Sequence, residues 1–431
     1  MEKKPKKIGE ILIEKGLLSK KDLDTALEIQ KDEKKLIEKK TLTLHRKHLI
    51  FVVAFSLLLS AFPITYFHDE HFFKNIDQKI YSELLKLEYL LRKAPLATKD
   101  IVIVGIDNET VLKMPQRWPY PRQDFATVIE NIKKAQPRVL GIDFAYFGKS
   151  TKEDDTLLQQ ALDSNLVVLA ATINEYGYLS IFNDSANLKN QASYGIATKF
   201  QDEDGIIRKS LVYLVTKDKK QEGFLSWGMQ ILKITKGIDA DSLQDNIHTV
   251  SFKNQAGEHW NIPVDPISKS FLIHFRAHTR DFQEIPFYRV LKGDFDPNLI
   301  KNKIVLLGVL PALFQDIQNT PLGWLPGVIL NANTFLALYT HNFLQEVPKL
   351  TQIIIIIIGV ILTTIFLLLL STPKALTLII LEICLFFISS YLLLISGYVW
   401  DYITFPVTIV ICPILAKKLI RRNFLDLIVK V

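Results

Sequence analysis

The sequence has only two cysteines, Cys384 and Cys412, and both fall inside long apolar runs. A disulfide framework for a secreted domain is therefore excluded, and whatever lies outside those runs must be held by its own core. There is no Gly-rich phosphate loop, no paired nucleophile and base, and no histidine-rich metal set. P-loop hydrolysis, triad chemistry and zinc catalysis thus find no support. No base-reading motif or aromatic-interleaved basic stripe is present, so the net charge of +7 is not a nucleic-acid footprint and no nucleic-acid partner is expected. The first apolar run starts at residue 48 and no small-residue cleavage site follows it, so it reads as an uncleaved anchor and not a signal peptide.

What is present is apolar and charged in separate places. Hydrophobic residues make up 48% of the chain and charged ones 23%, which rules out general disorder. Runs at 48–67, 351–371, 375–396 and 398–416 approach the roughly 20 residues a bilayer-spanning helix needs. Lys39, Lys40, Arg46 and Lys47 precede the first run, and Lys417, Lys418, Arg421 and Arg422 follow the last. Both clusters place the chain termini in the cytoplasm, because Lys and Arg gather on that side. The expectation is a multi-pass protein of a bacterial inner membrane, with residues 68–350 outside, a charged linker at 35–47 and a basic tail at 417–431. The outside segment, about 280 residues, is long enough to bury a core.

That segment begins with FFKNIDQKIYSELLKLEYLLRK, whose residues Phe73, Ile76, Ile80, Leu84, Leu87 and Leu91 fall on one helical stripe. Then IVIVGI at 101–106 and VLGI at 139–142 read as buried strands, with a helix over 122–135 between them. A helix over 154–164, a strand over 166–173 and a strand over 303–309 continue the alternation. The fold class is a mixed, mainly parallel α/β sheet, because strands apolar on both faces belong to parallel sheets covered by helices. Residues 193–200 and 206–216, joined by QDEDG at 201–205, are expected to form a β-hairpin. The same five residues resemble the start of a calcium loop, but Ile206 supplies no oxygen ligand, so the turn reading is preferred.

Asp107 and Asp143 close the two opening strands, which are expected to be neighbours, and Asp316 follows the last. Carboxylates at the carboxyl edge of an open α/β sheet line the usual ligand crevice. Three of them could hold Mg²⁺ or Ca²⁺ and support phosphoester hydrolysis. They could equally cap helices and pair with Arg117 or Arg122. With no nucleophile beside them, a recognition crevice of Asp107, Trp118, Arg122, Asp143 and Asp316 is expected, with no resident metal or cofactor. Glu382 lies in the third span, where a hydrogen bond to Thr377, Ser389 or Ser390 is expected.

The motifs IVGID, RWPYPR, VLGIDF, DEDGIIR, IHFR, KIVLLG, TPLG and NAN, in this order between Ile103 and Asn333, resemble the type 2 member of the CHASE group, the sensory extracellular domains associated with cyclases and histidine kinases. The resemblance covers about 72–347, and three closely spaced spans after the domain also fit it. It implies a sensor of an unknown extracytoplasmic ligand. Asn331 stands where family members often carry His, so no ligand contact is carried over to that position. The family usually continues into a cytoplasmic catalytic module. The chain ends at Val431 shortly after the last span, so the expectation is a non-enzyme that signals to a separate cytoplasmic partner.

The cytoplasmic segment 1–34 is expected to be a helix pair. Gly16 ends its first helix, and Ser19 with Asp22 makes a capping-box variant for the second. KIGEILIEKGLLSKKDLDTALEIQ at 7–30 resembles the N-terminal domain of type II secretion and type IV pilus assembly ATPases. Some of that family bind cyclic di-GMP, which would place Lys7, Gly9, Gly16 and Gln30 at a nucleotide. Lys7 departs from the family's Arg and only one copy of the motif is present. A docking role for a signalling or secretion-type partner is therefore the first expectation, and nucleotide binding by pairing copies from two chains of a homo-oligomer is the second. Two alternatives to a sensor stay open: a membrane-anchored metal-dependent hydrolase, and an envelope scaffold.

Overall fold

The computed structural model describes residues 12–17, 19–66, 71–144, 146, 150–173, 179–180, 193–215, 223–310 and 316–428. The chain forms two compact units. One is Met1–Glu70 with Lys349–Leu385 and Ile403–Val431; the other is His71–Pro348 with Phe386–Tyr402.

The larger unit is built on one sheet. Its strands are β1 (Ile101–Ile106), β2 (Val139–Ile142), β3 (Val167–Ile173), β4 (Leu179–Ser180), β5 (Ser193–Ile196), β8 (Gln283–Pro286) and β9 (Ile304–Val309). The order is β8-β1-β9-β2-β3, with β3 also pairing β5 in parallel and β4 antiparallel. The remaining pairings are parallel, as the all-apolar strands require. One expectation fails here. β9 lies between β1 and β2, so Asp107 and Asp143 are not on neighbouring strands; their strands are about 10 Å apart across the sheet, two spacings of roughly 4.8 Å. Nothing local marks this, because β9 comes from far along the chain.

Successive side chains in a strand face opposite sides, and both sides are covered. Val102, Val104, Leu140, Ile142, Val305 and Leu307 pack with Phe125, Leu158 and Phe287. Those three come from α4 (Arg122–Lys134), α5 (Lys152–Leu162) and α7 (Phe287–Lys292); the short α3 (Asn108–Lys113) follows β1. Ile101, Ile103, Val139, Val168, Ile304 and Leu306 pack instead with Trp227, Val328 and Phe335. These belong to α6 (Trp227–Lys236) and α8 (Gly327–Tyr339). α8 lies close on the sheet because Gly308 has no side chain: a Cβ there would come within 2.6 Å of Val328.

A second sheet joins β6 (Lys209–Leu211), β7 (Ser270–Ile273), β10 (Phe343–Glu346) and β11 (Tyr398–Val399), in the order β11-β10-β7-β6. The expected hairpin is therefore wrong. QDEDG does turn, with the Gly205 N–H donating to the Asp202 carbonyl at 2.9 Å, but β5 goes to β3 and β6 goes to β7. β11 belongs to the loop between the last two long helices, and it pairs in parallel with β10.

The smaller unit is helical. α1 (Lys20–Tyr66) runs unbroken through the segment expected as a linker, and its apolar stretch is Leu49–Thr65. Ser19 caps it, accepting from the Asp22 N–H at 3.1 Å and donating to the Asp22 carboxylate at 2.6 Å. α9 (Lys349–Leu369) and α10 (Thr372–Ile395) are long and apolar enough to cross a membrane. α11 (Thr404–Ile428) starts six residues later than the expected fourth span, because Tyr398–Val399 are taken up as β11, and it carries basic residues into its second half. Val52, Phe55 and Leu59 of α1 pack with Ala416, Ile420 and Leu368. Glu382 accepts from Thr363 Oγ1 at 2.8 Å. The expected partners Thr377, Ser389 and Ser390 donate instead to carbonyls of their own helix, the usual alternative for helical hydroxyls.

Candidate functional site

The five residues expected at one crevice are divided by the sheet. Asp107 ends β1 and caps α3: its Oδ1 accepts from the Thr110 N–H and the Thr110 hydroxyl, each at 2.8 Å. That is the structural use a strand-end acid has when a helix starts beside it. Arg122 opens α4 and pairs with Asp155 in the first turn of α5, and Asp155 also accepts from the Ser150 N–H at 3.1 Å. Trp118 sits edge-on to Tyr120 at 5.5 Å and lies 6.1 Å from Phe144. Phe125 is the centre of this cluster, with Phe144 at 5.1 Å, Phe287 at 5.2 Å and Tyr146 at 5.5 Å. The RWPYPR loop, with its cis Trp118–Pro119 bond, thus belongs to the aromatic cover of the α4 and α7 side.

Asp143 faces the other way. It is two residues beyond Gly141, whose missing side chain gives room to Trp227 of α6, and strand alternation puts both on that side. There Asn331 of α8 donates Nδ2–H to Asp143 Oδ2 at 2.9 Å. Asp316 lies close enough to repel Asp143, and Lys199, three residues beyond β5, lies close enough to attract it. Burial first, then Asp316, push the Asp143 carboxyl up to about 6; the Asn331 bond and Lys199 oppose this. Burial likewise pulls the Lys199 ammonium down to about 8, against the charge of Asp143. Both residues are half-buried. Asp316 packs against the start of α8, where a Cβ on Gly327 would meet its carboxylate at 2.5 Å. So Asp143 and Asp316 do come together, with Lys199 and Asn331; Asp107, Trp118 and Arg122 do not join them. Asn331 was set aside on the sequence and is a central contact.

A second polar cluster was not foreseen at all. α2 (His71–Leu91) buries Tyr81, Ser82, Leu85 and Glu88, while Leu87 is 41% and Leu91 67% exposed. The expected stripe is thus turned about the helix axis over its second half. The cause is electrostatic. Glu88 is fully buried, with His274 Nε2 at 2.7 Å, Arg92 at 3.0 Å and Arg276 at 3.1 Å. Burial raises its carboxyl, but the His274 hydrogen bond and the three basic neighbours outweigh this and hold it below the usual carboxylate range. The other ring nitrogen of His274 lies 2.9 Å from Asn342 Oδ1. Earlier on α2, Ser82 Oγ and the Gln78 carbonyl accept from Arg208 at 3.0 and 3.2 Å. Arg208, only 2% exposed, also binds Asp202 at 2.9 Å and Asp204 at 2.6 Å. The IHFR motif therefore supplies the counter-charges of Glu88, and DEDGIIR supplies a charge-assisted contact to α2 through Arg208. The NAN motif supports IHFR: Asn333 Oδ1 accepts from the Arg276 and Ala277 N–H groups at 3.1 and 3.0 Å.

Among the described residues no group of three or more His, Cys, Asp or Glu could hold a metal. Gly16 is left-handed with φ of 68°, as a helix stop requires, and Gln30 lies within α1. Lys7 and Gly9 lie outside the described residues. No curated protein and no solved structure matches the chain. The family model of the CHASE2 domain matches residues 50–367.

Proposed function

The chain belongs to the CHASE2 domain family, and on that premise we propose that it is a membrane-bound receptor that passes an extracytoplasmic stimulus to a separate cytoplasmic partner. CHASE2 is a family of extracellular sensor domains. In this reading residues 68–350 lie outside, both termini lie in the cytoplasm, and four segments cross the bilayer. The crevice of Asp143, Lys199, Asp316 and Asn331 takes the stimulus. The segment 1–34 delivers the signal, as a docking element for a signalling or secretion-type partner, for cyclic di-GMP, or for a second copy of the chain.

The observation that carries this is the docking of α2. The first helix after the first span is tied to the α/β domain by two buried ionic clusters, around Glu88 and Arg208. Its own first turns receive the loop that follows β11, since Asp77 accepts from the Tyr402 N–H. A ligand that favours one arrangement of the domain shifts the population of α2 with it. A hydrolase would need the third carboxylate, and Asp107 is engaged two strands away as a helix cap.

Cysteine labelling tests the reading. With Cys384 and Cys412 replaced, Ile267→Cys, at a 93% exposed site, should react with an impermeant maleimide in intact cells, and Leu27→Cys should not. Leu27→Cys in the purified full chain should then change its reactivity when a stabilising ligand from a thermal-shift screen is added. A ligand that stabilises the chain but leaves this reactivity untouched counts against transmission.

A further inference from the structure

The crevice around Asp143 holds more acceptors than its donors fill. Asp143 takes its bond from Asn331, Asp316 takes one from Gln318 Nε2 at 3.2 Å, and Lys199 donates to the Ala197 carbonyl at 3.5 Å. Asn331 Oδ1 is left over. Asn331 is 5% exposed, its amide head touches Asp143, and this oxygen has no hydrogen-bond partner among the described residues. A buried carbonyl oxygen without a donor is unfavourable, and this one sits beside Asp143 and one turn beyond Gly327, against which the Asp316 carboxylate packs. The arrangement asks for positive charge.

We propose that Asp143, Asp316 and Asn331 bind a hard divalent cation, Mg²⁺ or Ca²⁺, and that Lys199 takes its place electrostatically when the cation is absent. This rests on the sensor reading and names the class of its stimulus. The site offers oxygen only, from two carboxylates and an amide, which suits hard cations and not thiophilic or imidazole-seeking metals. Contact length separates a metal from an amine: an ammonium donates to acceptors about 2.8 Å away. A Mg²⁺–oxygen contact is about 2.1 Å and a Ca²⁺–oxygen contact about 2.4 Å, with waters completing the shell. Two carboxylates are a low charge count, and Lys199 competes, so affinity belongs in the weak range of extracellular sites, on the order of 10⁻⁴ to 10⁻³ M. That range matches an ion sensed outside the cell. Cation binding takes over from Lys199 the balancing of the Asp143 charge. Because Lys199 follows β5 by three residues, the exchange acts on an edge strand of the main sheet.

The test is isothermal titration of the chelator-treated full chain, in detergent, with MgCl₂ and CaCl₂ at constant ionic strength, with thermal melts alongside. One of the two cations should bind with a dissociation constant between about 0.1 and 1 mM. Asp316→Asn should weaken it at least tenfold. Lys199→Met should tighten it several-fold, a gain that misfolding cannot imitate. Absence of binding by either ion overturns the proposal. So does binding that both variants leave unchanged, which marks an ion held elsewhere, or a response to putrescine but to neither metal. The sensor reading survives all three outcomes, because the cysteine-labelling test of topology uses no cation.

Discussion

Replacing Glu88 by Ala should loosen α2 more than removing any exposed leucine of the same helix. Glu88 is fully buried and meets three basic side chains at 2.7, 3.0 and 3.1 Å. Truncation leaves His274 and Arg276 buried without their counter-charge. Breaking a buried pair by removing one partner costs about 3–5 kcal/mol. Leu87, 41% exposed, is the control: substitutions at such positions stay within about 0.5 kcal/mol. For a domain of this size, 1 kcal/mol moves the melting temperature by about 2–4 °C. Glu88→Ala should therefore lower it by about 10 °C, and Leu87→Ala by less than about 2 °C. The assay is thermal unfolding of the full chain in detergent, followed by near-UV circular dichroism. Equal losses in the two variants, or a larger loss in Leu87→Ala, would mean that the apolar stripe and not the ionic cluster holds α2, and would refute the account.

Acid should release α2 before the rest of the domain. The Glu88 and Asp204 carboxyls are both held below their usual values, against burial, by His274 with its basic neighbours and by Arg208 respectively. A lowered folded value means that the stabilisation is present above the unfolded value, near 4.3 for Glu and 3.9 for Asp, and is lost as pH falls through the folded one. Hydrogen exchange of α2 should accelerate below about pH 4 while β1 and β9 stay protected; simultaneous loss refutes it. Arg208→Lys should cost about 2 kcal/mol by urea unfolding, since Lys cannot bind Asp202, Asp204 and Ser82 in one plane. Asn333→Leu should cost about 3 kcal/mol in the same assay, because the buried Arg276 and Ala277 N–H groups lose their acceptor. In the helical unit, Thr363→Val removes the partner of Glu382 and should weaken helix packing by about 0.6–1.7 kcal/mol in a detergent-unfolding titration.

The strands and the central helix were legible because their signals are local. IVIVGI and VLGI are apolar at every position, which only a sheet covered on both faces accommodates, and β1 and β2 have the bounds the pattern implies. The strand order was not legible. β9 enters between β1 and β2 through pairings made far along the chain, and that one insertion separates Asp107 from Asp143. QDEDG was correctly read as a turn, yet a turn fixes only its own residues, while β5 and β6 find partners in different sheets. α2 misled for another reason. A hydrophobic stripe assumes that charge stays outside, and Glu88 goes in because His274 and Arg276, nearly two hundred residues away, make a paired charge tolerable. At the crevice, Asp143 and Asp316 were visible as strand-end acids, but Asn331 gains its role only from the face of α8 that the close Gly308–Val328 contact brings to the sheet.

The chemistry of the α2 docking suits a signal better than an apolar seam would. Apolar contact is nearly indifferent to small shifts, since one methylene replaces another at little change in buried area. A buried carboxylate has no such latitude. Glu88 is either within hydrogen-bond reach of His274 and Arg276 or is an unpaired charge in a dry interior, and the intermediate positions are the costly ones. Two buried charge-assisted contacts along one helix, from Arg208 to Ser82 and at Glu88, therefore favour discrete registers over continuous sliding. In the crevice around Asp143 the balancing charge is Lys199, whose ammonium donates to the Ala197 carbonyl and not to the acid, so an outside charge can take over its role. If β5 shifts on that exchange, the change enters the main sheet through β3, whose neighbours carry Asp143 and the α8 face. A sensor assembled this way needs a ligand only strong enough to outweigh one lysine, and weak affinity then becomes a condition of responding to ions at the concentrations found outside a cell.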